Sequence, residues 1–199
     1  IIRPRSKRPL NVASTSNKKS KPNPSTYLVD NEITIHEADT PPPCLELCNA
    51  PFPKQLINLL LLQGFTVPSP VQASTWPMAV SGRDVLAIAK TGSGKTLGFL
   101  LPVLSRCYRE KSSSKGNPSA LIMAPTRELA LQIHAESIKF GKALGLRSVA
   151  VYGGAKKPPQ IKKIQNGCEL IIGTPGGTFL IVLDVFFMSS SVLAIFISI

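Results

Sequence analysis

Val85-Leu86-Ala87-Ile88-Ala89-Lys90-Thr91-Gly92-Ser93-Gly94-Lys95-Thr96 is the stretch whose reading decides the fold. Residues 85–89 are an apolar run of strand length, 91–94 are small, and Lys95-Thr96 opens a segment with Leu97, Leu100, Leu101 and Leu104 at helical spacing. A strand that turns sharply into a helix start gathers free backbone N–H groups at one point, and the helix dipole adds partial positive charge there. Phosphate is the ligand such a turn favours, with glycines allowing close backbone approach, Lys95 reaching the outer phosphates and the Thr96 hydroxyl available to Mg²⁺. Ala89 stands where this pattern usually begins with Gly. A plain Gly/Ser turn is the bland alternative, and the order strand, small loop, Lys-Thr, helix argues against it.

Working outward, 199 residues give room for one α/β domain with tails. Net charge is +12, from 23 Lys and Arg against 11 Asp and Glu, which points to a polyanionic partner. Cys44, Cys48, Cys107 and Cys168 lack C-x-x-C spacing, so neither a zinc site nor a disulfide framework is expected. His36 and His134 are isolated and read as packing or surface residues. The first residue is Ile1 and no secretion signal follows, which suggests an incomplete or processed start and a nuclear or cytoplasmic location.

Residues 1–26 hold seven basic residues, four prolines and no acid, and read as a disordered basic arm. Residues 27–63 read as a lead-in strap, polar and extended from Tyr27 to Pro43, followed by a first helix over Phe52–Leu62 that stops at Gly64. Gly64-Phe65-Thr66-Val67-Pro68-Ser69-Pro70-Val71-Gln72 leads into a second helix reaching Val80. The Gln72 amide offers one donor and one acceptor, matching the N6 donor and N7 acceptor of adenine. Beyond the phosphate loop, strands are expected at Ala120–Met123, Ser148–Tyr152 and Glu169–Ile172, with helices over Thr126–Leu144 and Pro159–Asn166 between them. Alternation of this kind implies parallel strands, right-handed crossovers and ligands at the strand C-terminal ends.

These residues resemble the first RecA-like domain of the DEAD-box RNA helicases. Residues 64–72 are similar to that family's adenine-reading Q motif and 89–96 to its motif I, in which Ala at the first position is normal. Pro125-Thr126-Arg127-Glu128-Leu129-Ala130 resembles motif Ia, Gly153-Gly154 the glycine doublet, and Thr174-Pro175-Gly176 the start of motif Ib, in order across about residues 32–177. The resemblance implies a three-layer α/β sandwich of RecA-like P-loop NTPase type, with a parallel sheet incomplete at its C-terminal end and the partial domain spanning 64–177. It implies ATP with Mg²⁺ as cofactors, Phe65 and Gln72 at adenine, Thr91, Gly92, Ser93, Gly94, Lys95 and Thr96 at the phosphates, and Thr96 at the metal. Lys95 and Thr96 are the catalytic candidates. Pro125, Thr126, Arg127, Gly153, Gly154, Thr174, Pro175 and Gly176 are implied contacts to single-stranded RNA, bound without sequence preference in unwinding or remodelling, with ribonucleoprotein partners and no membrane.

Three departures shape the expected activity. Leu47 stands 17 positions before Gly64, where the family keeps an aromatic ring over adenine, so stacking is expected to weaken. Gly177 replaces the Arg that ends motif Ib. Phe179–Asp184 imitates the motif II strand, yet Val185-Phe186-Phe187 follows in place of Glu-Ala-Asp. Too few residues precede that strand for a parallel crossover. Residues 178–199 are therefore expected to be an apolar tail outside the family pattern, from truncation or aberrant splicing, which would leave turnover by this chain alone doubtful. Rival readings are a catalytically dead ATP- and RNA-binding fragment, another P-loop NTPase, and a tail-anchored P-loop protein.

Overall fold

The computed structural model describes residues 24–37, 39–114, 117–178 and 193–196. Among them the elements run α1 (Pro24–Asp30), α2 (Lys54–Leu62), α3 (Pro70–Val80), α4 (Lys95–Ser114), β1 (Ala120–Met123), α5 (Arg127–Gly141), β2 (Ser148–Val151), α6 (Lys157–Gln165), β3 (Leu170–Gly173) and β4 (Leu193–Phe196). The sheet order is β2-β3-β1-β4 and every pairing is parallel, with Ala120 beside Leu170 and Leu193, and Ser148 beside Leu170.

Right-handed crossovers explain the layering. The chain moves outward from β1 to β2 through α5 and returns from β2 to β3 through α6, so the two helices must cover opposite faces. Ile122, Leu170 and Ile172 accordingly pack with Leu100, Leu104, Ile133 and Phe140 on one face. Leu121, Val149, Val151 and Ile171 pack with Ile164 and Cys168 on the other. This is the expected three-layer sandwich, with both faces of short apolar strands buried.

Two prolines organise the larger layer. Pro77 lies inside α3 and cannot donate to the Ala73 carbonyl one turn earlier. The Cys44 N–H supplies that bond from the strap at 2.8 Å. Pro102 frees the Gly98 carbonyl of α4 in the same way, and Thr75 Oγ1 approaches it to 3.5 Å from α3 while donating to Val71 at 2.7 Å. Trp76 closes the seam, its indole N–H donating to Leu97 at 3.1 Å and its ring meeting Phe52 edge-on at 4.9 Å. Helix α2 ends as its sequence predicts, with Gly64 at φ +83° and the Phe65 and Gly64 N–H groups bonded to Leu60 and Leu61.

Five expectations are corrected. Residues 85–89 form no strand, and Leu86 and Ile88 are 92% and 94% exposed. Their apolar run has no ladder to join at β1, which is paired with β3 on one side and β4 on the other. The strap is not extended throughout, because Pro24–Asp30 form α1. Residues after Gly177 do not all stand apart: Thr178 is buried and Leu193–Phe196 join the sheet. A helix running through 178–199 to anchor a membrane is thereby excluded at β4, and no helix among the described residues is long and apolar enough to cross one. Of the arm expected over 1–26, residues 24–26 begin α1 instead, and residues 1–23 lie outside the described residues, as does the Phe179–Phe187 segment.

Along the outer edge of β2, side chains replace a fifth strand. Leu170 and Thr174 donate to Arg147 and Val151, so Ser148, Ala150 and Tyr152 face outward. His134 Nε2 donates to the Ser148 carbonyl at 3.1 Å. The Gln160 amide brackets Tyr152, accepting from its N–H at 3.0 Å and donating to its carbonyl at 3.2 Å.

Candidate nucleotide and nucleic-acid sites

Gln72 is the hinge between two parts of the chain. It occupies the third position of α3, where its side-chain oxygen accepts the otherwise orphaned Ser69 N–H at 3.0 Å. Its nitrogen then donates to the Gly94 carbonyl at 3.1 Å, at the end of the small loop. The same carbonyl accepts the Gly98 N–H in the first turn of α4. Gln72 is only 4% exposed, so the amide expected to read adenine already joins the α3 start to the loop, with one donor hydrogen and one lone pair left over.

The loop itself is shaped for close approach. Gly92 and Gly94 adopt φ +75° and +90°. A Cβ at Gly94 would stand 2.6 Å from Gln72 Nε2 and 2.9 Å from Ser69 Oγ, so a side chain there would displace both, on a backbone whose φ of +90° itself favours glycine. Ser69 Oγ and Ser93 Oγ are buried without a hydrogen-bond partner on either side of this point. Lys95 Nζ donates back to the Ala89 carbonyl across the loop. Thr91 is exposed, while Thr96 is half-buried at the second position of α4. The loop therefore brings Ser93, Gly94, Lys95 and Thr96 to the N-terminus of a 20-residue helix, where the free N–H groups and dipole favour an anion.

One adenine expectation changes. Leu47 is 3% exposed and belongs to the core cluster that also holds Phe52 and Trp76, rather than presenting a face to a base. An aliphatic side chain on a short 3₁₀ turn gains more from that burial than from partial contact with a base. Phe65 is half-buried against the same core.

The second cluster lies at the C-terminal ends of β1, β2 and β3. Pro125, Thr126, Arg127, Gly153, Gly154, Pro175 and Gly176 are exposed there, and Thr174 is half-buried. Ladder bonds continue into these turns, Ala124 to Gly173 at 2.8 Å and Thr174 to Val151 at 3.0 Å, so the three turns form one rim. Thr126 spends its hydroxyl capping α5, accepting from the Leu129 N–H at 3.2 Å. The Arg127 guanidinium lies over the Tyr152 ring at 4.5 Å, a cation–π contact that steadies it beside the glycine doublet.

Gly177 acquires a structural reason. A Cβ there would stand 2.5 Å from Tyr152 Cα and 2.8 Å from the Gly153 nitrogen, so the turn after β3 presses directly on the doublet. Sequence reasoning missed Tyr152 and Gln160, whose bracket joins the end of a strand to the following helix eight residues on. The Ser69-x-x-Gln72 capping signature was readable and would have given Gln72 its structural partner. The buried thiols are not nucleophiles: burial, the leading cause, pushes Cys107 up to about 11 and Cys168 up to about 12.

Comparison with known proteins agrees with this arrangement. The family model described as DEAD/DEAH box helicase matches residues 69–195, continuing past Gly177. DEAD-box ATP-dependent RNA helicase 14 of Arabidopsis thaliana is 42% identical over 157 residues, covering 79% of this chain and 25% of that protein. ATP-dependent RNA helicase DBP2 of Mycosarcoma maydis is 46% identical over 151 residues, covering 75% of this chain and 27% of that protein. Among solved structures, the RNA helicase Prp28 from Chaetomium thermophilum bound to ADP superposes with a TM-score of 0.77 at 32% identity, covering 90% of this chain and 45% of that one. Yeast Prp28 superposes with a TM-score of 0.76 at 26% identity, covering 87% and 42%. The chain thus spans about a quarter of the length of those two curated relatives.

Proposed function

Since the chain belongs to the DEAD/DEAH box helicase family and has its RecA-like α/β fold, we propose that it supplies the ATP- and RNA-binding parts of an ATP-dependent RNA helicase. The observation that carries this reading is the Gln72–Gly94 hydrogen bond, which ties the adenine-reading candidate to the phosphate loop. In the proposal Gln72 and Phe65 meet the base, and the loop from Thr91 to Thr96 cradles the phosphates. Lys95 exchanges the Ala89 carbonyl for phosphate oxygen, because an ammonium gains more from an anion than from a neutral acceptor. The glycine-only cradle at Gly94 and the unpartnered Ser93 hydroxyl fit such a ligand. Mg²⁺ held by Thr96 would neutralise part of the phosphate charge.

RNA is proposed to lie on the rim of Pro125–Arg127, Gly153-Gly154 and Thr174–Gly176. Exposed backbone groups beside a fixed Arg127 recognise sugar and phosphate without reading bases. Ribonucleoprotein partners and a nuclear or cytoplasmic location belong to the same proposal. A second reading, binding without turnover, is favoured by β4. The strand beside β1 is Leu-Ala-Ile-Phe followed by Ile-Ser-Ile, with no carboxylate to support phosphoryl transfer.

Nucleotide binding by the full chain, followed with a fluorescent ATP analogue, tests the proposal. ATP is expected to compete about tenfold better than GTP, the worth of one well-placed hydrogen bond, and Lys95→Ala to abolish binding. Equal competition by GTP, or unchanged binding by the variant, would refute it. RNA-stimulated phosphate release then decides between turnover and binding alone.

A further inference from the structure

We propose that the cleft along the outer edge of β2 is an additional RNA-backbone subsite that lengthens the track beyond the glycine doublet; this rests on the RNA reading of the rim. The cleft has a volume of about 420 Å³ and runs between α5 and α6, from Tyr152 to Arg147, Lys163 and Asn166. Tyr152 belongs to both surfaces, since it lines the cleft and carries Arg127 on its ring. A strand of RNA leaving the doublet therefore meets the cleft without crossing intervening protein.

Charge and geometry select the occupant. The ionised side chains lining the cleft, Arg147 and Lys163, are both cationic, and His134 lies beside them. Arg147 is fixed rather than free: its guanidinium donates to the Asn166 carbonyl at 2.9 Å and approaches the buried Glu169 carboxylate at 3.4 Å, while 55% of its side chain stays exposed. Glu169 offsets part of that charge, which leaves Lys163, exposed on α6, as the principal phosphate contact. A peptide strand is disfavoured, because added strands need a run of free edge groups. His134 already holds the Ser148 carbonyl, and Gln160 holds both groups of Tyr152. A flexible polyanion needs only cations and space.

The test measures binding of oligouridines of about five and about fifteen nucleotides, lengths that bracket common single-strand site sizes. Lys163→Ala should weaken the long RNA about fivefold and lower its salt slope by about one, leaving the short RNA unchanged. Lys162→Ala is the control, the same charge change at an exposed neighbour on α6 that does not line the cleft. Equal effects of the two variants, or equal loss for both lengths, would overturn the subsite while leaving the rim intact. Absence of binding to either RNA by the unsubstituted chain would overturn the RNA reading itself.

Discussion

Replacing Gly94 with alanine should damage the protein through Gln72, and the size of that effect can be worked out. Two costs arise. The backbone at φ +90° suits glycine alone, and holding an L-residue there costs about 1–3 kcal/mol. The new Cβ would also stand 2.6 Å from Gln72 Nε2, forcing a buried amide off the Gly94 carbonyl, worth a further ~1–3 kcal/mol. Gly92→Ala isolates the first cost, since Gly92 has φ +75° and open space where its Cβ would go. Gly94→Ala should therefore be about 2 kcal/mol more destabilising than Gly92→Ala. In a Gln72→Ala background the closer collision is gone and only Ser69 Oγ, at 2.9 Å, still crowds the new Cβ, so the double variant should fall short of additivity by most of that amount. Urea unfolding followed by fluorescence of Trp76, the single tryptophan, gives each midpoint. Equal effects of the two alanines, or strict additivity with Gln72→Ala, would refute the claim that this contact locks the loop to α3.

Gly177→Ala should destabilise by about 1–3 kcal/mol, because its Cβ would press into the Tyr152–Gly153 backbone, and Gly177→Arg should do no better. A rise in melting temperature on installing the family's arginine would contradict the packing described. At pH 8 only Cys48 should react promptly with a thiol reagent, while Cys44, Cys107 and Cys168 wait for denaturant. The pH dependence has a definite sign: Cys107 and Cys168 titrate near 11 and 12 when folded, against 9.0 ordinarily. The folded state keeps protons the unfolded chain gives up, so their contribution is intact below about pH 9 and is lost as pH climbs toward 11–12. Unfolding midpoints that rise over that window would contradict the burial.

Local signals explain which parts of the fold were readable. β1 lies where its four apolar residues and the following Pro125 predict, and α2 ends at Gly64, because strand burial and helix capping are written in neighbouring residues. Residues 85–89 carry an equally good apolar run, yet a strand also needs a free ladder edge, and which edges remain free is settled by Leu193–Phe196 far along the chain. The same distinction governs the site. The glycines, Lys95 and Thr96 were legible from spacing, and Arg127 from its place past a strand. The Gln72–Gly94 bond, the Tyr152–Gln160 bracket and the pressure of Gly177 on the doublet join residues 8 to 25 positions apart, and spacing does not encode them.

The bond from Cys44 to the carbonyl freed by Pro77 fixes where the folding unit begins. Read by helices alone, the core would start at Lys54, and everything before it would be dispensable. Trimming past Cys44 would instead strand the Ala73 carbonyl inside the protein and leave Leu47, three residues on, as a loose end of the core cluster. A chain trimmed past Cys44 should thus lose stability that one retaining it keeps, and limited proteolysis should find Cys44 protected although it precedes α2.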